Sequence, residues 1–192
     1  MNKRNLAERI SFVLQPTFVA VLLYALVSFS YEKGRAAVFF FLTGFLLVGV
    51  APMFLVAWLS WRGKVSDPDL PDRRERFKPY LLITGFYLLA LLVFRLGSAS
   101  FALLAITWCY VAVTLAGAFI SLFWKISLHL AGIAGPVTAM VMLLHPWWML
   151  LYLLLLPLGW ARCYLKKHTV SQVVAGILLS VAITFGIVSL FV

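Results

Sequence analysis

The feature that most constrains this chain is a series of long apolar stretches separated by short polar segments. A helix needs about 20 mostly apolar residues to cross the hydrocarbon core of a bilayer, at about 1.5 Å of rise per residue. Because backbone groups in lipid must be hydrogen-bonded within the segment, the sequence predicts an all-α protein, a polytopic transmembrane helical bundle. Candidate crossings lie at residues 10–30, 36–61, 80–96, 101–123, 126–144, 147–165 and 168–192.

We therefore predict six or seven crossings, since the apolar core of 147–165 is short, within one domain spanning residues 1–192. Residues 10–30 are longer than the apolar core of a signal peptide, about 7 to 15 residues, and lack a small-x-small cleavage site. We expect this stretch to be a retained helix.

Composition agrees with a membrane chain and narrows its partners. Hydrophobic residues make up 64% of the sequence and charged residues only 11%, whereas a soluble domain has about 25% charged residues. Cys109 and Cys163 lie far apart in sequence, which predicts neither a disulfide framework nor a zinc site. The formal charge of +10 then indicates anionic headgroups or a phosphorylated substrate as partners rather than nucleic acid.

The positive charges are concentrated on one side of the predicted bundle. With seven crossings, only Lys33, Arg35 and Arg95 of the 16 lysines and arginines fall on the opposite side. Because cytoplasmic loops carry the excess of Lys and Arg, we expect the charged side to be cytoplasmic. The chain is thus predicted to be an integral, multi-pass membrane protein, of the inner membrane if bacterial, with its site on the cytoplasmic side.

One polar segment carries the spacing of a nucleophile and its orienting partner. Arg162 is followed six residues later by His168 and, four residues further, by Gln172. Residues at i and i+4 share a helix face, so the amide oxygen of Gln172 can accept a hydrogen bond from one imidazole nitrogen. The other nitrogen is then free to attack. Thr169 is expected to cap the helix that follows.

A second polar segment supplies a cation, a hydroxyl and another imidazole where a helix begins. These are Lys125, Ser127 and His129, and the small residues Gly132 and Gly135 that follow allow a ligand or a neighbouring backbone to come close. His145 precedes Pro146 on the opposite side of the predicted bundle, and we interpret it as an interfacial residue.

These segments resemble the second and third motifs of the type 2 phosphatidic acid phosphatase superfamily, which also includes vanadium haloperoxidases. The family patterns are P-S-G-H and S-R-x5-H-x3-D. This chain keeps Ser127 and His129 of the second motif, and Arg162 and His168 of the third, while Gln172 stands where the family has Asp. The first motif, K-x6-R-P, has a compressed counterpart in residues 73–79, which read RRERFKP.

The resemblance implies a phosphatidic acid phosphatase type 2-like core and a lipid phosphate phosphatase. His168 would attack phosphorus to give a phosphohistidine, oriented by Gln172, and His129 would protonate the leaving oxygen. The phosphoryl oxygens would be bound by the basic and hydroxyl groups of the three segments, which are Arg162, Ser127, Lys125, Arg73, Arg76 and Lys78. No metal and no other cofactor is expected, and the substrate would be a membrane lipid with a phosphate or diphosphate headgroup, such as a polyprenyl diphosphate or phosphatidate.

Two other functions stay open at this point. A magnesium-dependent prenyl or alcohol-phosphate transferase would use Asp67, Asp69 and Asp72, but such enzymes need two separated acidic clusters and the sequence offers one. A non-catalytic protein that binds or transports lipid phosphates would keep the same cationic site without turnover, and the neutral amide of Gln172 is compatible with it. The sequence does not specify an oligomeric state.

Overall fold

A computed structural model describes residues 2–192 and contains only helices and connecting segments in that range. The α-helices are α1 (Lys3–Val13), α2 (Pro16–Tyr31), α3 (Gly34–Gly44), α4 (Ala51–Trp61), α5 (Phe77–Leu96), α6 (Phe101–Ser121), α7 (Leu128–Leu143), α8 (Leu155–Tyr164) and α9 (Val170–Phe191). A π-helix, Phe45–Val50, joins α3 to α4, and 3-10 helices lie at Arg73–Glu75 and Pro146–Leu154. The predicted all-α class is confirmed.

Five helical segments are long and apolar enough to cross a membrane. They are Lys3–Tyr31, Gly34–Trp61, Arg73–Leu96, Phe101–Phe123 and Val170–Phe191. Of the two remaining predicted crossings, α7 has only 16 residues, and the other is divided into a 3-10 helix and the short α8. The count of six or seven crossings therefore stays a prediction.

Proline and glycine explain where the helices are interrupted. Pro16 begins α2, a position at which its missing N–H removes no helical hydrogen bond. Pro52 lies in the first turn of α4, and the hydrogen-bond ladder before it relaxes into a π-helix. The predicted turn between the third and fourth stretches is present, because α5 ends just before Gly97 and Ser98 has a φ of 55°.

Helix α7 is the centre of the bundle. It packs against α2, α6 and α9, and α5 packs against α6. Most of its residues are buried, as expected for a helix that is apolar on all sides. Large apolar side chains such as Phe54, Leu178 and Phe185 are exposed on the outer helices. This arrangement suits a bundle whose surface faces hydrocarbon.

Candidate functional site

Three polar segments meet at one end of the bundle, where α5, α7 and α9 begin. The N–H of Ser127 donates to the carbonyl oxygen of Gln172 at 3.0 Å. Arg76 Nη1 donates to the carbonyl oxygen of Ile126 at 2.9 Å. The segments before α5, α7 and α9 are thereby joined into one cluster.

A glycine makes this meeting possible. A Cβ atom added to Gly176 on α9 would lie 2.4 Å from the carbonyl oxygen of Ser127, which is far inside van der Waals contact. The backbone before α7 can therefore approach α9 only because residue 176 has no side chain.

The turn between α8 and α9 places His168. Lys166 has a φ of 55°, a left-handed conformation often found just after a helix. The next two N–H groups, of Lys167 and His168, both donate to the carbonyl oxygen of Arg162, at 3.0 and 3.2 Å. His168 is only 7% exposed, so its ring is held inside the cluster.

Hydrogen bonds at the start of α9 decide which nitrogen of His168 is free. Gln172 Oε1 accepts from the backbone N–H of Thr169 at 3.2 Å and lies 3.2 Å from His168 Nδ1. The Thr169 hydroxyl in turn accepts from the N–H of Gln172, which completes a capping box. Because the Thr169 N–H needs an acceptor, the amide oxygen must face His168, so Nδ1 carries the proton and Nε2 keeps its lone pair. The predicted contact between His168 and Gln172 and the predicted cap are confirmed. His168 itself precedes the N-cap residue Thr169, so the contact is made across the start of α9 and not, as predicted, along one face of a helix.

The surroundings of His168 keep its ring neutral. Burial and the positive charges of Arg162, Arg76 and Lys125 lower the pKa of His168 to about 3, while the hydrogen bond to Gln172 acts in the opposite direction. A neutral imidazole with a free Nε2 is the form that a nucleophilic histidine requires.

Arg162 and Asp69 form the central ion pair of the cluster. Arg162 Nη1 lies 3.3 Å from Asp69 Oδ2 and donates to Ser11 Oγ at 3.0 Å. Lys167 Nζ donates to the same carboxylate oxygen. Burial would raise the pKa of Asp69, but the Lys167 hydrogen bond and the charge of Arg162 outweigh it and lower the pKa to about 2. Asp69 is therefore an anion held by two cations.

Two buried polar atoms of the cluster have no hydrogen-bond partner among the described residues. They are Ser127 Oγ and Arg162 Nε, and the Ser127 and Arg162 side chains are almost fully buried. Leaving a buried donor unpaired costs about 1–3 kcal/mol, and more for a charged group. An oxyanion oxygen is the kind of acceptor that each of these two donors lacks.

The other predicted phosphate-binding residues are divided between the cluster and its edge. Arg76 is buried, and its Nε donates to the carbonyl oxygen of Leu70 at 2.8 Å. This hydrogen bond stabilises the loop before α5. Lys125 is half-buried, and its pKa is lowered by burial and by the nearby charges of Arg76 and Arg162. Both cations act electrostatically on His168.

Arg73 and Lys78 lie elsewhere. Arg73 Nη1 donates to the carbonyl oxygen of Leu122 and lies 3.5 Å from that of Ser121, so it satisfies the end of α6. Lys78 is exposed in the first turn of α5. Neither is among the charges with the largest effect on His168 or Asp69. The structure does not bring these two residues to the cluster, because the Arg73 side chain binds the end of α6 and that of Lys78 is exposed.

His129, the second residue of α7, is half-buried beside the ion pair. The charges of Arg162 and Arg76 act on both His129 and His168. His129 and Asp69 also line one end of a cavity that continues into the bundle. The two imidazoles therefore share their cationic neighbours.

Sequence reasoning missed three members of this cluster, which are Asp69 as a partner of Arg162, Lys167 and Ser11. Lys167 stands next to His168 and could have been included on that ground. Ser11 lies in α1, and no sequence signal connects it with residue 162.

The acidic side chains do not form a metal-type group. Asp67 and Asp72 each accept a local backbone N–H, from Asp69 and Arg74. Among residues 2–192, no three His, Cys, Asp or Glu side chains converge to hold a metal ion. His145 is exposed at the opposite end of α7, where its Nδ1 accepts from the N–H of Trp147.

Comparison of the chain with protein-family models, with curated proteins and with solved structures gives no match.

Proposed function

We propose that this protein is an integral membrane phosphatase that hydrolyses a lipid phosphate or diphosphate through a phosphohistidine on His168. The observation that carries the proposal is the hydrogen-bonded unit of Thr169, Gln172 and His168, which leaves Nε2 unprotonated inside a cationic cluster. The proposal keeps the likeness to the type 2 phosphatidic acid phosphatases, with the site on the cytoplasmic side.

The first step would transfer the phosphoryl group to the protein. His168 Nε2 donates its lone pair to phosphorus, and the bond between phosphorus and the lipid oxygen breaks. His129 takes up a proton together with the anionic substrate, whose negative charge favours the imidazolium form, and gives that proton to the departing oxygen. Arg162, Arg76 and Ser127 would bind the phosphoryl oxygens and stabilise their charge.

The second step would release phosphate. A water molecule loses a proton to His129 and forms a bond to phosphorus, while the bond between phosphorus and His168 Nε2 breaks. His168 returns to its neutral form, with Nδ1–H still donating to Gln172. Neither reaction step requires a group other than the side chains of the protein and water.

Lipid is favoured as the substrate class by the position of the cluster. It lies where α5, α7 and α9 begin, and α5 and α9 belong to segments apolar enough to cross a bilayer. A headgroup at the membrane surface would therefore reach the cations while its chain stays in an apolar environment.

The test is phosphate release by the purified protein in the presence of a chelator, from a panel of single-chain phosphates, diacyl phosphates and prenyl diphosphates. His168→Ala should reduce release from the best substrate by at least about 1,000-fold, because the nucleophile is gone. The wild-type protein should also give an acid-labile, base-stable phosphorylated protein, mapped to His168 by peptide mass spectrometry.

His145→Ala is the matched control, because that imidazole is exposed at the far end of α7 and should be dispensable. Full activity of the His168→Ala protein would refute the assigned nucleophile. Activity that disappears on chelation would instead favour a magnesium-dependent transferase that uses Asp67, Asp69 and Asp72.

A second candidate is a protein that binds or transports lipid phosphates without hydrolysing them. The specific observation in its favour is that the orienting partner of His168 is a neutral amide, which stabilises imidazolium less than a carboxylate would. This function predicts vanadate binding to the wild-type protein with no phosphorylated histidine.

A further inference from the structure

A cavity leads from the edge of the polar cluster into the apolar interior of the bundle. Its volume is about 250 Å³, and Asp69, His129 and Tyr80 line the end nearest the cluster. The lining also includes Ala139 near the other end of α7 and Thr184 on α9. Of the residues of the polar cluster, Asp69 and His129 line the cavity, which therefore begins at the edge of the cluster and extends into the hydrophobic core.

The lining residues show that the cavity is elongated along the helices. On α7 they run from His129 to Ala139, a distance of about 15 Å at the helical rise per residue. On α6 they run from Thr114 to Ile106, which is about 12 Å. Both rows begin near the polar cluster and lead away from it, so the cavity lies parallel to the helix axes.

Small residues keep this passage open along α7. Ala131, Gly132, Gly135 and Ala139 all line the cavity, and a larger side chain at any of them would narrow it. A Cβ atom added to Gly135 would already lie 3.1 Å from Thr184 Oγ1. The space along α7 therefore depends on a row of residues with minimal side chains.

We infer that this cavity binds the hydrocarbon chain of a single-chain phosphorylated amphiphile, with the phosphate at the Asp69 and His129 end and the chain end beside Ala139 and Thr184. An extended hydrocarbon chain advances about 1.2 Å per bond, by analogy with extended polypeptide. About 12 chain atoms would therefore fill the length of the cavity. The inference rests on the proposed function for the position of the headgroup. It narrows that function to substrates with one chain inside the protein.

The test is photolabelling with dodecyl phosphonate carrying a diazirine at the chain end, added to the full protein in lipid nanodiscs. The phosphonate cannot be hydrolysed, so labelling reports binding alone. Peptide mass spectrometry should place the label in the deep part of the cavity, on or beside Ile106, Ala139 and Thr184. Excess unlabelled dodecyl phosphonate should reduce that labelling at least tenfold, and dodecanol should compete less well.

Two variants complete the design. Ala139→Phe should remove most deep labelling by filling the cavity, whereas Leu178→Phe, on the exposed side of α9, should leave it unchanged. The position of the label in the wild-type protein is determined without either variant. A folding defect of Ala139→Phe would therefore not affect that result. Label confined to exposed residues such as Leu178 and Phe185, or no label above background, would overturn the inference.

The labelling experiment can succeed or fail independently of the proposed phosphatase function. Deep labelling that persists in His168→Ala, together with no phosphate release from the wild-type protein, would support the cavity site and contradict the phosphatase. Phosphate release with only surface labelling would support the phosphatase and contradict the cavity site.

Discussion

His168 Nδ1 lies 3.2 Å from the amide oxygen of Gln172, an oxygen that also accepts the backbone N–H of Thr169. One side chain thereby caps α9 and fixes the tautomer of the buried imidazole. The chemistry of the candidate site and the start of a long apolar helix depend on the same amide.

Gln172→Glu is the first informative change. A carboxylate keeps an acceptor at this position and adds a negative charge beside the ring, so it should raise the pKa of His168 and strengthen it as a nucleophile. We expect the rate of phosphorylated-protein formation to rise several-fold, measured by rapid quench with the best lipid phosphate.

Gln172→Leu is its counterpart. It removes the acceptor for both Nδ1–H and the Thr169 N–H, which should lower activity and cost about 1 kcal/mol of stability through the lost cap. Equal activity of the Leu variant and the wild-type protein would show that the tautomer is fixed by something else.

The pH dependence of stability follows from the neutral state of His168. Its pKa is about 3 in the folded protein, while an unperturbed histidine has a pKa of about 6.5. Between these values only the unfolded chain binds the proton, so stability is fully present above pH 6.5 and falls as the pH decreases toward 3. The slope from this group is at most about 1.4 kcal/mol per pH unit.

His168→Gln removes the contribution of this histidine to the pH dependence of stability. The variant should therefore lose less stability between pH 7 and pH 5 than the wild-type protein does. Denaturant midpoints in detergent at the two pH values measure the difference. His145→Gln should behave like the wild-type protein, and a His168→Gln variant with an unchanged slope would contradict the buried, neutral assignment.

Asp69 accepts hydrogen bonds from Arg162 and Lys167, so its carboxylate would compete with an oxyanion for these two cations. Asp69→Asn should therefore bind vanadate or inorganic phosphate more tightly, by about tenfold, because one like charge is removed from the site. Stability should decrease by about 1–3 kcal/mol, since the buried guanidinium of Arg162 loses its charged partner.

Vanadate titration monitored by calorimetry, with a thermal-unfolding curve for the same sample, checks both effects. Glu8→Gln is the control, because it removes a carboxylate that pairs with Arg4 in an exposed i, i+4 bridge. Weaker vanadate binding by Asp69→Asn would show that the carboxylate positions Arg162 rather than competing for it.

The sequence predicts the local parts of this molecule better than its long-range contacts. The apolar length of the stretches predicts helices, and the four-residue spacing of His168 and Gln172 predicts that these two side chains are close together. The reason for that closeness differs from the predicted one, because His168 precedes the cap of α9 and is not on the helix. The pairing of Arg162 with Asp69 joins residues 93 positions apart, and it depends on how α1, α8 and the loop before α5 pack. Local spacing also could not show that Arg73 satisfies carbonyl groups of α6 instead of joining the cluster.

Gly176 provides the sharpest test of how the site is assembled. A methyl group at this position would meet the carbonyl oxygen of Ser127 at 2.4 Å, so Gly176→Ala must push the segment before α7 away from α9. The hydrogen bond from Ser127 N–H to Gln172 would be lost, and Ser127 and His129 would be displaced together.

We expect Gly176→Ala to reduce stability by about 2 kcal/mol or more, as for other overpacked buried positions, and to abolish vanadate binding. Gly186→Ala on the same helix is the matched control, because its added Cβ would meet no atom within 4 Å. Replacing that glycine should stabilise α9 by up to about 1 kcal/mol through helix propensity. Thermal unfolding and vanadate titration of both variants measure the contrast, and equal behaviour would mean that the approach of Ser127 to α9 is not required for the site.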